Sequence, residues 1–301
     1  MKALVCRRGR VTCESRIAPE VGHPTDVRIR VTCAAICRTD AYVASGRIHV
    51  PDGRVPGHEF TGVVDSTGAA VTRVRLGDRV VVNPLIACGD CPSCRSARPH
   101  QCVATRFLGI DCDGAFAELV VVDESTVHVL PAGIPDTVGA YAEPLAATMA
   151  VLDAHLPPGA SIAVTGTGRI ATLTAFILRE FGHDVHAATS DANAYDVVVE
   201  TNLCSSNLAS TIRLLKPGGL LVMKSRQPET VEIPPLVCIP WRLRIECVYY
   251  ADFGLALGHL ARWSPQLQRF AGSEWPLAQH EQAFAEACED ESAKVYFRPN
   301  G

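Results

Sequence analysis

The sequence predicts a mixed α/β fold in two domains, and three observations carry that prediction. Short β-branched runs bounded by Gly, Asp or Asn dominate the first 130 residues. At residue 160 the pattern changes to a strand–turn–helix–strand unit of the dinucleotide-binding kind, a doubly wound parallel sheet in prospect. A length of 301 residues suits two domains better than one. With 48% hydrophobic and 20% charged residues, the chain can bury a sizeable core.

The elements follow in order. Met1 to Cys6 enters a strand-like pattern at once, without an apolar leader. Val27 to Val31 alternates; Gly62 to Val64, Arg79 to Val82 and Leu119 to Val122 are further strands. Gly77-Asp78 is a turn ahead of one of them. Residues 143–156 read as a helix with Pro144 near its start and the Pro157-Pro158-Gly159 stop behind it. Ser161 to Thr165 is a short buried strand, Gly166-Thr167-Gly168 a tight turn, Arg169 to Phe181 a helix, and Asp184 to Thr189 the next strand. Tyr195 to Glu200 and Gly219 to Met223 are buried strands with a helix, Leu208 to Leu215, between them.

Composition excludes several functions. A net charge of -4 makes no electrostatic case for nucleic acid or an anionic membrane. No apolar run reaches the length of a membrane span. Of 13 cysteines, five stand in ligand-like motifs. The others (Cys6, Cys13, Cys33, Cys112, Cys204, Cys238, Cys247, Cys288) are scattered among apolar residues, as free thiols in a reducing cytoplasm would be.

The strongest chemical signal is Cys88, Cys91, Cys94 and Cys102, spaced C-x2-C-x2-C-x7-C. One loop then supplies four thiolates to one zinc, and a closed four-sulfur site leaves no position for substrate, so this metal is structural. A zinc ribbon binding a partner is the rival reading; the loop is small and its surroundings acidic. Upstream, Cys37 and His58 form a mixed pair, with Glu143 or Glu59 available to close the set. Three protein ligands with one open position suit a Lewis-acid zinc. Thr39 is placed to relay a proton, or is a plain turn hydroxyl. Asp40 either orients His58 through its far ring nitrogen or caps a helix. The turn Gly166, Thr167, Gly168, Arg169 and Ile170, after a strand and before a helix, suits a pyrophosphate, with Ala171 in place of a third glycine.

As a set, these residues resemble the zinc-containing medium-chain dehydrogenase/reductase family, which includes alcohol, sorbitol, threonine and glucose dehydrogenases. The matching segments are Cys37 to Asp40, Gly57 to Glu59, Gly62 to Val64, Gly77 to Val80, the four-cysteine loop and Gly114 to Glu118. Further matches are Glu143 to Leu145, Gly166 to Gly168, Leu215 to Gly219, Trp275 to Phe284 and Lys294-Val295. The Glu-Pro-Leu element is more like the polyol, sugar and threonine branch. The resemblance implies a GroES-like β-barrel catalytic domain at 1–145 and 268–301. It implies a Rossmann domain at 146–267, with the active site in the cleft between them. It also implies two zinc ions per chain, NAD or NADP, and a homodimer or homotetramer, in which an apolar strand near Leu243 to Tyr250 could pair across subunits.

Two departures stand out. The chain lacks about one βα unit, since Thr189 and Asp196 are almost adjacent. No acidic residue closes the second strand: Thr189 or Ser190 falls there, with Asp191 beyond. No Lys or Arg lies between Phe181 and Ile212 to hold a 2′-phosphate, which favours NAD over NADP. The expected function is hydride transfer between that cofactor and a secondary alcohol or ketone of a polyol, sugar, cyclitol or amino alcohol. The alternative is a relative that has lost nucleotide binding, acting as a scaffold or as a non-redox zinc enzyme.

Overall fold

The strand Asp26–Ala35 organises the first of two units. One edge pairs antiparallel with Glu59–Thr67. The other edge is shared: Asp26 to Arg30 takes Leu119–Asp123, while Ala34 and Ala35 take Phe297 and Tyr296 of the last strand, Lys294–Phe297. The C-terminal tail is thus built into the sheet that the N-terminal part begins. Arg79–Val82, Val127–Val129 and Ala271–Trp275 complete it. Alternation in Val27, Ile29 and Val31 sends these side chains inward with Val80, Val82, Val120 and Val122. Phe116 fills the centre, edge-on to Phe297 at 5.0 Å and to Phe284 at 6.2 Å.

The computed structural model describes residues 1–189 and 191–300, so Ser190, an expected nucleotide contact, lies outside them. The units are Met1–Pro144 with the chain from Asp252 onward, and Leu145–Ala251. The return to the first unit therefore comes at Asp252, ahead of the expected residue 268. The cause is packing. Helices Phe253–Leu260 and Ser264–Gln268 bury Phe253, Ala256, Leu260 and Leu267, and Phe253 lies 5.0 Å from the His128 ring.

The second unit is a five-stranded parallel sheet. Its order is Asp184–Ala187, Ser161–Thr165, Tyr195–Glu200, Leu215–Met223, Arg244–Cys247. The central strands are near-continuous apolar runs, as strands covered on both faces must be. Helix Arg169–Glu180 buries Ala171, Leu173, Ile177 and Leu178. Three elements are shorter than expected. The helix read at 143–156 spans Ala142–Met149 and then tightens to a 3-10 turn, Ala150–Asp153. The second strand stops at Ala187 and the helix after Tyr195–Glu200 at Arg213. Among the described residues, no helix is long and apolar enough to cross a membrane, and all thirteen thiols are free.

Candidate metal centres and nucleotide turn

Asp40 is the organising residue of the first site. Cys37 caps helix Arg38–Ala44, and its N–H donates to Asp40 Oδ2 at 2.9 Å. The other oxygen, Oδ1, accepts from Gly57 N at 3.2 Å and stands 3.4 Å from His58 Nδ1. One fully buried carboxylate in a helix's first turn thus fixes both Cys37 and the loop carrying His58. Gly57 has φ +99°, and a Cβ there would lie 2.5 Å from the Phe116 ring, so only glycine makes this turn. Nδ1 of His58 thus lies on the Asp40 side. Asp40 thus bonds the cap residue Cys37 through one oxygen and the Gly57 backbone through the other.

Cys37, His58 and Glu59 offer ligand atoms that all lie within 4.8 Å of one another. Glu143 is buried in the first turn of Ala142–Met149 but stands outside this cluster. Thr39 is half-buried in the helix that follows Cys37. Burial alone would lower the His58 pKa; Asp40 and Cys37 outweigh it and raise it well above the ordinary imidazole value.

Lys294 is a residue the sequence reading did not assign to the site. It forms an ion pair with Glu59 Oε2, with the two side chains 2% and 1% exposed, and its Nζ lies 5.8 Å from the Tyr141 ring centre. The available signal was a lysine opening an otherwise apolar strand, Val295-Tyr296-Phe297.

The second cluster is the cysteine loop. The short pair Leu85–Ile86 with Arg106–Phe107 closes its base. Cys91–Cys94 and Cys88–Cys102 are separated by 3.5 Å between sulfurs, and Cys88–Cys94 by 4.0 Å. A tetrahedral zinc with Zn–S bonds of about 2.3 Å sets sulfurs about 3.8 Å apart, so the spacing matches. Backbone N–H groups of Cys88 and Cys91 donate to Cys102 Sγ and Cys88 Sγ at 3.3 and 3.4 Å, which favours thiolates.

In the second unit, Gly166 leaves strand Ser161–Thr165 with φ +110°, and a Cβ there would meet Thr201 Oγ1 at 2.3 Å. Thr201 itself donates to Thr165 O at 2.7 Å, so the end of the next strand imposes the glycine. Gly168 caps helix Arg169–Glu180; Thr167 is exposed, Arg169 and Ile170 half-buried. Thr189 is engaged elsewhere. Its Oγ1 lies 3.1 Å from Asp191 Oδ2 and 3.2 Å from Tyr195 Oη.

Comparison with known proteins agrees with this geometry. The family of alcohol dehydrogenase GroES-like domains matches residues 23–132. An L-threonine 3-dehydrogenase of Anaeromyxobacter sp. (strain Fw109-5) is 38% identical over 203 residues, covering 65% of this chain and 58% of the relative. A 2-dehydro-3-deoxy-L-galactonate 5-dehydrogenase of Pseudoalteromonas atlantica is 34% identical, covering 65% and 57%. The chain thus spans a little over half the length of these relatives. Among solved structures, a candidate zinc-binding dehydrogenase of Sinorhizobium meliloti 1021, bound to NADP, superposes with a TM-score of 0.87 at 26% identity over 99% of both chains. A thermostable alcohol dehydrogenase from Pyrobaculum aerophilum shares the fold, with a TM-score of 0.89 at 24% identity and 99% coverage of both. The chain is thus similar over residues 23–132 to alcohol dehydrogenase GroES-like domains, and over its length it shares the fold of the zinc-binding and alcohol dehydrogenases named above.

Proposed function

We propose that this chain is a zinc-dependent oxidoreductase that moves a hydride between a nicotinamide nucleotide and a secondary alcohol or ketone. The observation that carries this reading is the cluster of half-buried Cys37 with buried His58 and Glu59, beside which Asp40 bonds the Cys37 and Gly57 backbones. Its donor set, a thiolate, an imidazole and a carboxylate, fits zinc with room for a further ligand. Bound there, zinc supplies a Lewis acid beside the substrate oxygen. Cys37 and His58 hold the position, and Glu59, braced by Lys294, completes the charge. Asp40 keeps His58 in one tautomer and so keeps Nε2 directed at the site. Thr39, two residues from Cys37, holds the alcohol proton and passes it outward. Glu143 is the reserve ligand in this reading. The four cysteines hold the second, structural zinc. The turn Gly166 to Ile170 receives the nucleotide phosphate.

The same reading gives a small polyol, sugar, cyclitol or amino alcohol as substrate, as the names of the relatives favour. It also gives NAD rather than NADP, a cytoplasmic location and a homodimer or homotetramer. The test is nicotinamide reduction at 340 nm by zinc-loaded protein with a panel of threonine, polyols and sugar acids. Turnover of at least one, abolished by chelation and restored by zinc, is expected. No turnover and no nucleotide binding in fully zinc-loaded protein would overturn it. That result would favour the second reading, a relative without nucleotide binding, which the shortened second unit supports.

A further inference from the structure

The parallel sheet reverses its order between Ser161–Thr165 and Tyr195–Glu200. In doubly wound sheets, a dinucleotide lies across such a reversal, one mononucleotide to each half. The half that begins at the glycine turn receives adenosine, so the nicotinamide falls to the other. That other half is built from Tyr195–Glu200, Leu215–Met223 and Arg244–Cys247, and ligands lie outside the carboxyl ends of such strands. The four residues that follow each strand, 201–204, 224–227 and 248–251, include two cations, Lys224 and Arg226, and no acid.

Lys224 is fixed from two sides. Its backbone N–H donates to Glu200 Oε1 at 2.7 Å, and the Ser225 N–H joins it at 2.9 Å. Glu200 is fully buried at the end of its strand, so it pins this loop to the neighbouring strand end. Ser225 Oγ accepts from Leu203 N at 3.2 Å and adds a second tie. The half-buried Lys224 side chain turns the other way, and Nζ donates to Ala147 O at 2.9 Å and Thr148 O at 3.4 Å. Both carbonyls belong to the last turn of helix Ala142–Met149, where such oxygens have no partner within the helix. These acceptors are neutral, so the ammonium is held in place without an ion pair to cancel its charge. Arg226 is exposed and its guanidinium is turned aside: Nη2 donates to Tyr249 O at 2.6 Å, and the group lies over the Tyr249 and Tyr250 rings at 4.6 and 4.5 Å. Burial and the Arg226 charge push the Lys224 pKa down to about 7, while Glu200 pulls it up. The oxidised nicotinamide ring carries a positive charge and the reduced ring none. All other charges are common to the two forms, so a fixed cation near the ring separates them.

We infer that Lys224 is a specificity-determining residue of the nicotinamide site, whose ammonium disfavours the oxidised ring and makes this chain select the reduced nucleotide. The inference rests on the reading of the chain as a nicotinamide-nucleotide oxidoreductase. It is tested by calorimetry of the full-length, zinc-loaded protein with NAD+, NADH, NADP+ and NADPH, each titrated separately at about pH 6, where the amine carries its proton. The readout is the ratio of dissociation constants, oxidised over reduced, for the pair that binds. Lys224→Gln keeps an N–H donor for the Ala147 carbonyl and removes the charge; Lys224→Met removes both, and either serves if the other does not fold. The ratio should fall by about fivefold or more in these variants and stay within about twofold of wild type in Lys224→Arg. A fall of less than about fivefold on loss of the charge, or an equal fall in Lys224→Arg, would overturn this inference and leave the proposed function standing. Absence of binding by all four nucleotides would instead overturn the proposed function, and this inference with it.

Discussion

Two lysine–carboxylate pairs, one in each unit, differ mainly in depth. Lys294 and Glu59 are 2% and 1% exposed; Lys216 and Asp196 are 43% and 37% exposed, 2.9 Å apart. On the rim, water screens both charges and the pair contributes about 0–1 kcal/mol. In the core neither charge has water, and each is tolerable only because of the other. A buried pair adds little stability over a well-packed apolar replacement, so stability does not explain Glu59. Its place beside Cys37 and His58 does. Depth separates the charges kept for chemistry from those kept for solubility.

The largest effect that would sharpen this contrast is on turnover. Cys37→Ser or His58→Ala should lower kcat/KM by about a thousandfold or more, with unchanged far-UV circular dichroism. Retained activity would remove the core cluster from the chemistry. Next comes the buried pair itself. Lys294→Met leaves Glu59 alone in the core and should cost about 3–5 kcal/mol in urea unfolding. The double variant Lys294→Met with Glu59→Gln should recover most of that loss; an additive double variant would show that the two charges do not depend on each other. Asp40→Asn exchanges one acceptor oxygen for a donor facing Cys37 N or Gly57 N. It should weaken zinc about 10–100-fold in competition with a chelating dye.

The smallest effect belongs to the rim. Burial alone would raise the Asp196 pKa, but hydrogen bonds from Lys216 and Ser161 outweigh it and hold it down to about 2. An unfolded aspartate titrates at about 3.9, so the folded-state preference for the carboxylate is fully present above about pH 4. It is lost as pH falls through about 2. Asp196→Asn should therefore cost less than about 1 kcal/mol at pH 7, and the two stability curves should converge near pH 2. A larger loss at neutral pH would erase the distinction between rim and core.

What the sequence made legible follows the distance between partners. The four-thiol loop is local, and its spacing alone picks out four thiols that could hold one metal ion. The missing βα unit is also local, visible in how few residues separate Thr189 from Asp196. Asp40 is within reach because Cys37 is three residues away, but its second bond, to Gly57, needed the fold. Lys294 could not be assigned, since Glu59 lies at the far end of the chain and only the strand Lys294–Phe297 brings them together. Helices Phe253–Leu260 and Ser264–Gln268 were placed in the wrong unit for a related reason. An apolar stripe of Phe253, Ala256 and Leu260 reads the same whichever surface it covers.

The zinc content of the intact protein, measured for wild type and His58→Ala, tests the central claim most directly. If Cys37, His58 and Glu59 hold a metal distinct from that of the cysteine loop, wild type carries about two zinc ions per chain and the variant about one. Equal zinc in both proteins would contradict the assignment of the buried cluster as a metal site.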